Sequence, residues 1–372
     1  MTTPPTTPRV SFVVPCYKLA HLLRDCVESI LSQSYRDVEV LIMDDCSPDD
    51  TPSVAASFDD SRVRSIRNPV NLGHVRNYNE GIRLSRGEYV WIMSADDRLR
   101  SSDIVERYAR LLDERPDVGM AFCPGVNLHD GGREGDLHGS LGAADVVFEG
   151  HELLDTLLQA NCVCTPGALV RRSCYEAMGM YPIDLPYACD WYVWCAVALH
   201  HRVAYFGAPM VHYRYHDTNI TKRIVSETPD VFVSDLIAVR WRIKRLAERH
   251  GTWDVVRICR TAIGNDYALR VRLKTTEDWW QGLTLDAFEQ SLRDERATMS
   301  ERAAMRATVY TALGDDHYDR GDVARAQRCY RTSIAARPWM LRTRAKAALL
   351  RLDGRGRRMR ELIGAVRGAA GR

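Results

Sequence analysis

The chain has 372 residues, a formal charge of +2 and 45% hydrophobic content. That composition is globular and long enough for two or three domains, and its near-neutral balance argues against a nucleic-acid-binding protein. No apolar run reaches membrane-spanning length, and the eleven cysteines, mostly single within apolar runs, read as reduced thiols of a cytoplasmic protein and not as a metal or disulfide framework.

Residues 1–9 are a Thr/Pro-rich tail without the charged and apolar regions of a signal peptide. Val10–Pro15 then reads as a buried strand, followed by helical spacing over 20–33 through Leu22, Leu23, Val27, Ile30 and Leu31. Val38–Met43 is a second apolar strand, and it ends on Asp44 and Asp45. Val63–Ile66 is a short third strand, 71–74 a turn and 74–85 a helix. Tyr89–Met93 is another buried strand that runs directly into Asp96 and Asp97. Strand and helix alternate at the spacing of βαβ units, which predicts an α/β fold with a largely parallel sheet. Ligands of such sheets bind beyond the carboxyl ends of the strands, so Pro15, Asp45, Asp96 and Asp97 should share that rim. Two adjacent carboxylates repel unless a cation lies between them, and a hard divalent ion would accept their oxygens. The plainer reading is a solvated turn.

A helix over 102–114 and a strand over Val118–Cys123 follow. The Gly- and Asp-rich segment 127–144 reads as a loop, 149–159 as a helix and Val163–Val170 as a strand. Ala188–Leu199 is a helix starting near Asp190, with strand candidates at Val203–Phe206 and Met210–Tyr215. The first domain is expected to span 10–225. Beyond it the period becomes helical throughout 226–372. Tyr310, Leu313, Gly314, Gly321, Ala326, Tyr330, Ser333 and Pro338 fall at the intervals of a tetratricopeptide-like hairpin within 307–352, with 255–272 and 341–352 as flanking helices. A generic helix pair explains the same spacing. The basic end (Arg355, Arg357, Arg358, Arg360) reads as a solvated helix face.

Taken together, the motifs from Val10 to about Thr221 resemble those of the inverting, metal-dependent nucleotide-sugar glycosyltransferases of family two, which have the A-type (GT-A) fold. The resemblance is carried by Val-Ser-Phe-Val-Val-Pro-Cys-Tyr at the start and by Met43-Asp-Asp-Cys-Ser-Pro-Asp-Asp-Thr. It continues through Asn71-Leu-Gly-His-Val-Arg-Asn-Tyr-Asn, Gly87-Glu-Tyr-Val-Trp-Ile-Met-Ser-Ala-Asp-Asp and Cys189-Asp-Trp-Tyr-Val-Trp. It implies a GT-A, Rossmann-like domain with a mixed central sheet, here followed by an all-helical domain. It also implies a UDP- or dTDP-sugar donor held by Pro15, Tyr17, Asp44, Asp45, Arg76 and Asp96. Asp45 would accept the imide N–H of the base, and Arg76 would lie near the base or diphosphate.

The resemblance further implies an Mg2+ or Mn2+ ion held by Asp97, with Asp96 and His216. Ser94 stands where the family's metal motif has its first Asp. Asp190 corresponds to the general base, and Cys189 replaces the Glu that usually precedes it. Trp191 is either core or a surface for an acceptor sugar, and Cys189 lies beside the acceptor. His212 and Arg214 are lesser candidates. A helix start should hold Asp190 ionised and lower its basicity.

The implied reaction is sugar transfer to a hydroxyl of a small molecule, glycan or peptide. The alternatives are a sugar-nucleotide hydrolase, a nucleotidyltransferase and a decayed nucleotide-binding scaffold. The helical region is expected to form a homodimer or to support the acceptor. Peripheral attachment to the inner face of a membrane stays open.

Overall fold

The computed structural model describes residues 7–216, 219–274 and 285–352, so the basic end at 355–360 lies outside the described residues. The chain divides between Ala247 and Glu248 into two compact units. The first extends past the 225/226 boundary expected from the change in period.

In the first unit, β1 (Val10–Cys16), α1 (Ala20–Leu31), β2 (Val38–Asp44), α2 (Thr51–Ala56), β3 (Val63–Arg67), α3 (His74–Leu84) and β4 (Tyr89–Ile92) form the expected alternation. β5 (Arg98–Leu99), α4 (Ile104–Glu114), β6 (Val118–Phe122), β7 (Gly125–His129), β8 (Arg133–His138), β9 (Val146–Phe148) and α5 (Gly150–Leu157) follow. The unit is completed by β10 (Ala168–Arg171), α6 (Arg172–Met178), α7 (Cys189–His200), β11 (Arg202–Tyr205), β12 (Val211–Arg214), α8 (Ile220–Glu227) and most of α9 (Pro229–Arg249).

The main sheet has eight strands in the order β3-β2-β1-β4-β10-β6-β11-β9. Every residue of β1, β2 and β4 is buried, as expected of parallel strands covered on both faces. The sheet is mixed and not largely parallel. β10 runs antiparallel to both β4 and β6, and β9 runs antiparallel to β11. Because β10 is reversed, its start lies at the carboxyl ends of its neighbours. Trp91 Nε1 donates to the Pro166 carbonyl at 2.7 Å, and the Tyr108 hydroxyl donates to the Gly167 carbonyl at 2.8 Å, which fixes that start. The strand expected over Val163–Val170 is therefore only its second half. A short 3-10 turn, Thr165–Gly167, occupies the middle.

A second sheet has the order β5-β12-β7-β8. It corrects the loop expected over 127–144, because β7 and β8 pair as an antiparallel hairpin there. Gly131 and Gly132 have φ of 76° and 79°, which a tight reversal accepts without a Cβ penalty. β8 is mostly exposed and lacks an alternating apolar face, so periodicity alone does not reveal it.

The second unit contains α10 (Trp253–Lys274), α11 (Leu285–Asp294), α12 (Met299–Asp319), α13 (Val323–Ala336) and α14 (Leu341–Leu352). Helices thus occur where neighbours were expected, over 255–272 and 341–352, and they pack on α12 and α13. A Cβ on Gly314 would come within 2.5 Å of the Tyr330 ring, so glycine permits the close approach of α12 and α13. Thr298 and Glu301 form a reciprocal cap at the start of α12.

Candidate active site

The parallel register brings the acids to one rim. Cys16 pairs with Asp44, and Val13 pairs with Ile92. The ladder continues past the strand ends, with the Asp45 N–H donating to the Cys16 carbonyl at 2.9 Å and the Ala95 N–H to the Pro15 carbonyl at 3.1 Å. Pro15, Asp45 and the 94–97 turn are therefore neighbours because β1 lies between β2 and β4.

A cavity of about 130 Å³ opens at this rim. Its walls include Ser94, Asp96, Asp97, Thr165, Cys189 and Asp190 on the polar side, with Pro166, Pro186, Ile220 and Ile224 adding apolar surface. Asp97 and Asp190, 93 positions apart in the chain, thus face one cavity. Pro15, Tyr17, Asp44, Asp45 and Arg76 do not line it. The link to Asp45 is the following turn: Gly73 donates its N–H to Asp45 Oδ2 at 2.9 Å, and its neighbour His74 is in the cavity wall.

Asp45 is buried and well satisfied. Its Oδ1 accepts from Asn68 Nδ2 at 2.9 Å and from the Leu72 N–H at 2.8 Å. Gly73 has φ of 80°, which lets its N–H turn towards the carboxylate. Asp44 is also committed. Its Oδ1 accepts from the Ser47 N–H at 2.8 Å, and its Oδ2 pairs with Arg67. That arrangement orders the loop and commits the Asp44 carboxylate outside the cavity lining. Arg76 is exposed, and no hydrogen bond or ion pair engages its guanidinium among the described residues. Tyr17 is 39% exposed.

Asp96 and Asp97 differ from these. Asp96 Oδ1 is buried without a partner, while its Oδ2 lies 2.9 Å from His216 Nε2. Asp97 Oδ1 accepts the Arg214 N–H at 2.9 Å. Burial, and then the neighbouring Asp96 charge, push the Asp97 carboxyl well above the ordinary carboxylate range. The Arg214 side chain ties the turn down: its Nε donates to the Asp96 carbonyl at 2.8 Å, and its Nη2 to Asp25 on α1 at 2.8 Å. His212 is committed elsewhere, with its Nε2 2.6 Å from Glu134 on β8.

Among the described residues, no group of three or more His, Cys, Asp or Glu side chains is arranged to hold a metal ion. The acid pair nevertheless fits a divalent cation. One buried carboxylate oxygen is unpartnered, its neighbour's charge is disfavoured by burial, and both wants are met by a positive ion that takes oxygen ligands.

Asp190 is the second residue of α7 and is half-buried in the cavity wall. Its Oδ2 accepts from the Thr165 hydroxyl at 2.7 Å and its Oδ1 from the Trp191 N–H at 2.6 Å. The helix start lowers its basicity as expected, through the Trp191 N–H, but does not set the net direction. Burial outweighs the hydrogen bonds and raises this carboxyl above its ordinary value of 3.8. Trp191 is core and does not offer a sugar-stacking face. It is 2% exposed, Nε1 donates to the Leu157 carbonyl at 2.8 Å, and Arg240 covers the ring. Cys189 is buried in the cavity wall, and burial pushes its thiol pKa up, so it presents a neutral group there.

Thr165 was not singled out from the sequence, and His74 was read only as a residue of the 71–74 turn or a helix start. His74 Nε2–H donates to the Pro186 carbonyl at 2.7 Å and so joins the Asp45 turn to the segment entering α7. No spacing signal marks these contacts, because each joins segments far apart in the chain.

The family model for glycosyl transferase family 2 matches residues 11–179. The chain is 33% identical over 124 residues to "Glycosyltransferase GlyG" of Streptococcus pneumoniae, a match covering 33% of this chain and 41% of that protein. It is 37% identical over 121 residues to "Succinoglycan biosynthesis protein ExoO" of Rhizobium meliloti, covering 32% and 33%. The chain thus spans about a third to two fifths of the length of these relatives. In fold it is similar to S. aureus TarS 1-349 in complex with UDP, with a TM-score of 0.58, 16% identity and coverage of 87% of this chain and 91% of that one. The expected GT-A architecture, a mixed sheet domain followed by helices, is the one observed.

Proposed function

Since residues 11–179 constitute a family 2 glycosyltransferase domain of GT-A fold, we propose that the protein transfers a sugar from a UDP- or dTDP-sugar to an acceptor hydroxyl with inversion. One observation carries this reading: Asp96, Asp97 and Asp190, from distant parts of the chain, line one cavity at the carboxyl rim of the sheet. The structure of TarS with UDP supports a uridine-type donor by analogy of fold.

Asp97 and Asp96, with His216 beside them, would hold Mg2+ or Mn2+. A bound cation would supply charge to offset the negative charge growing on the diphosphate leaving group. Asp45 holds the 71–74 turn, and its Oδ2, which takes a single hydrogen bond from Gly73, would be the acceptor for a base imide N–H. Arg76 supplies an uncommitted cation nearby for the base or diphosphate. Asp190 takes the proton of the acceptor hydroxyl at a carboxylate oxygen as that hydroxyl attacks the anomeric carbon from the face opposite the leaving group. The elevated pKa makes it a stronger base than an exposed aspartate, while the Thr165 hydroxyl and the Trp191 N–H favour its ionised form against burial. Alignment in a partly dry cavity, without a covalent intermediate, provides the remaining acceleration. Cys189 offers the acceptor no charge, which favours an uncharged group at that position.

The helices of 248–372 are assigned to self-association, supported by the exposed apolar side chains Trp253, Met299, Trp339 and Leu341. The mass of the full chain in solution tests that assignment, and a monomer refutes it. The donor assignment is tested by a panel of UDP- and dTDP-sugars titrated with and without Mn2+. Metal-dependent binding of at least one is expected. Binding of none, with metal present, overturns the reading.

A further inference from the structure

α7 carries Asp190 but begins without a cap of its own, because its N-cap is Ala188 and no side chain there accepts from the helix start. An acceptor from α9 instead takes the N–H groups of the two residues that lead into the helix. Asp235 is buried, and its Oδ2 accepts the Tyr187 N–H at 2.6 Å and the Ala188 N–H at 3.1 Å. The Tyr187 ring meets Phe232, one turn earlier on α9, edge to face at 4.5 Å between centroids. One turn later Arg240 donates through Nε to the Leu158 carbonyl at 2.9 Å and through Nη2 to the Gln159 carbonyl at 3.1 Å, while its guanidinium lies 4.7 Å from the Trp191 ring centre. Arg242 pairs with Asp184.

These contacts converge on the two segments that orient Asp190. One contains its backbone and the Trp191 N–H. The other, beginning at Leu158, leads to Thr165, whose hydroxyl donates to its carboxylate. We propose that Asp235 and Arg240 are positioning residues for Asp190, and that α9 is a working part of the transferase site although it lies beyond residues 11–179. Asp235 fixes where α7 starts, and Arg240 holds the 158–159 carbonyls against the first turn of the same helix. Neither touches the reacting atoms. The inference rests on the reading of Asp190 as the base.

A lost cap lets the first turn of a helix fray, and a small misplacement of a catalytic group costs far more in rate than in substrate binding. The experiment uses the full chain. Turnover is read as UDP released from the best UDP-sugar of the donor panel with Mn2+, water serving as acceptor, and donor-side integrity as affinity for UDP. Asp235→Ala is expected to lower kcat about 10- to 100-fold with UDP affinity within about twofold of the parent, and Asp235→Asn, whose amide oxygen accepts the same N–H groups, to recover most of the loss. Amide exchange in 188–192 should quicken at least about tenfold in the Ala variant. Parental kcat together with parental exchange in that segment overturns the proposal. Should Asp235→Ala fail to fold, Arg240→Lys takes its place, with the same fall in kcat expected and unchanged kcat counting against the proposal. Asp190→Asn separates the two readings. If it retains turnover, the base assignment fails by itself, and the exchange measurement still decides whether Asp235 holds the start of α7.

Discussion

Asp45 and Asp97 both follow buried parallel strands, yet they are held in opposite ways. Asp45 receives three hydrogen bonds from its own chain and organises the 71–74 turn. Asp97 receives one, sits beside a second carboxylate with an unpartnered oxygen, and is disfavoured as an anion. A satisfied carboxylate contributes to the fold. A deprived one stores a demand that only a ligand meets. The two therefore should respond differently to removal, even though both belong to one proposed donor site.

The largest effect belongs to Asp190, whose carboxyl, like that of Asp97, is pushed up by desolvation. Asp190→Asn is expected to lower turnover by about 10³-fold while UDP binding persists, as measured by steady-state kinetics and titration. Next comes Asp97. Asp97→Asn should weaken Mn2+-dependent UDP binding by about 100-fold, in the range seen when a metal site is damaged. The same change should raise the metal-free melting temperature. The sign follows from linkage: a folded-state pKa above the unfolded value penalises the anion at neutral pH, and the penalty fades as pH falls through the raised value. Metal-free protein should accordingly gain stability from this group on moving from pH 7 towards acid, and the variant should lose that gain.

Asp45→Ala should do the reverse. It leaves the Leu72 N–H and one Asn68 N–H without their acceptor, while Gly73 keeps Asn71 Oδ1, at a cost of about 2 kcal/mol, or about 4–8 °C in Tm. If Asp97→Asn destabilises and Asp45→Ala does not, the contrast between the two acids is wrong. The smallest effect is a shift in pH profile. Thr165 donates to Asp190 and lowers its pKa against burial. Thr165→Val should move the acid limb of the kcat/KM profile upward by about one unit, since a lost hydrogen bond is worth about 1 kcal/mol, with little change at pH 8.

Much of the candidate site's placement was legible in the sequence because the apolar runs of β1, β2 and β4 are continuous and each ends near residues of the proposed site. A run of buried residues followed at once by acid is a local signal. The reversal of β10 was not legible, because an apolar four-residue strand carries no mark of its direction. The β7–β8 hairpin was masked by its polar outer strand, although Asp130-Gly131-Gly132 is a turn signal that could have located it. Trp191 could not be placed from sequence beside Asp190, since α7 is apolar on nearly all sides and shows no face preference. Asp235 and Arg240 were invisible for a different reason. A carboxylate on a long charged helix looks solvated until the fold brings uncapped N–H groups to it.

The backward course of β10 has an evolutionary corollary. Its leading end, with Thr165 and Pro166, enters at the reaction chamber, and its trailing end, Arg171, exits beside Tyr89 at the opposite edge of the sheet. Lengthening or shortening the chain between residues 158 and 165 would therefore reshape the chamber floor. The same change just after Arg171 would fall on the far side of the molecule's main sheet, so relatives with different acceptors should vary in the first stretch and keep the second.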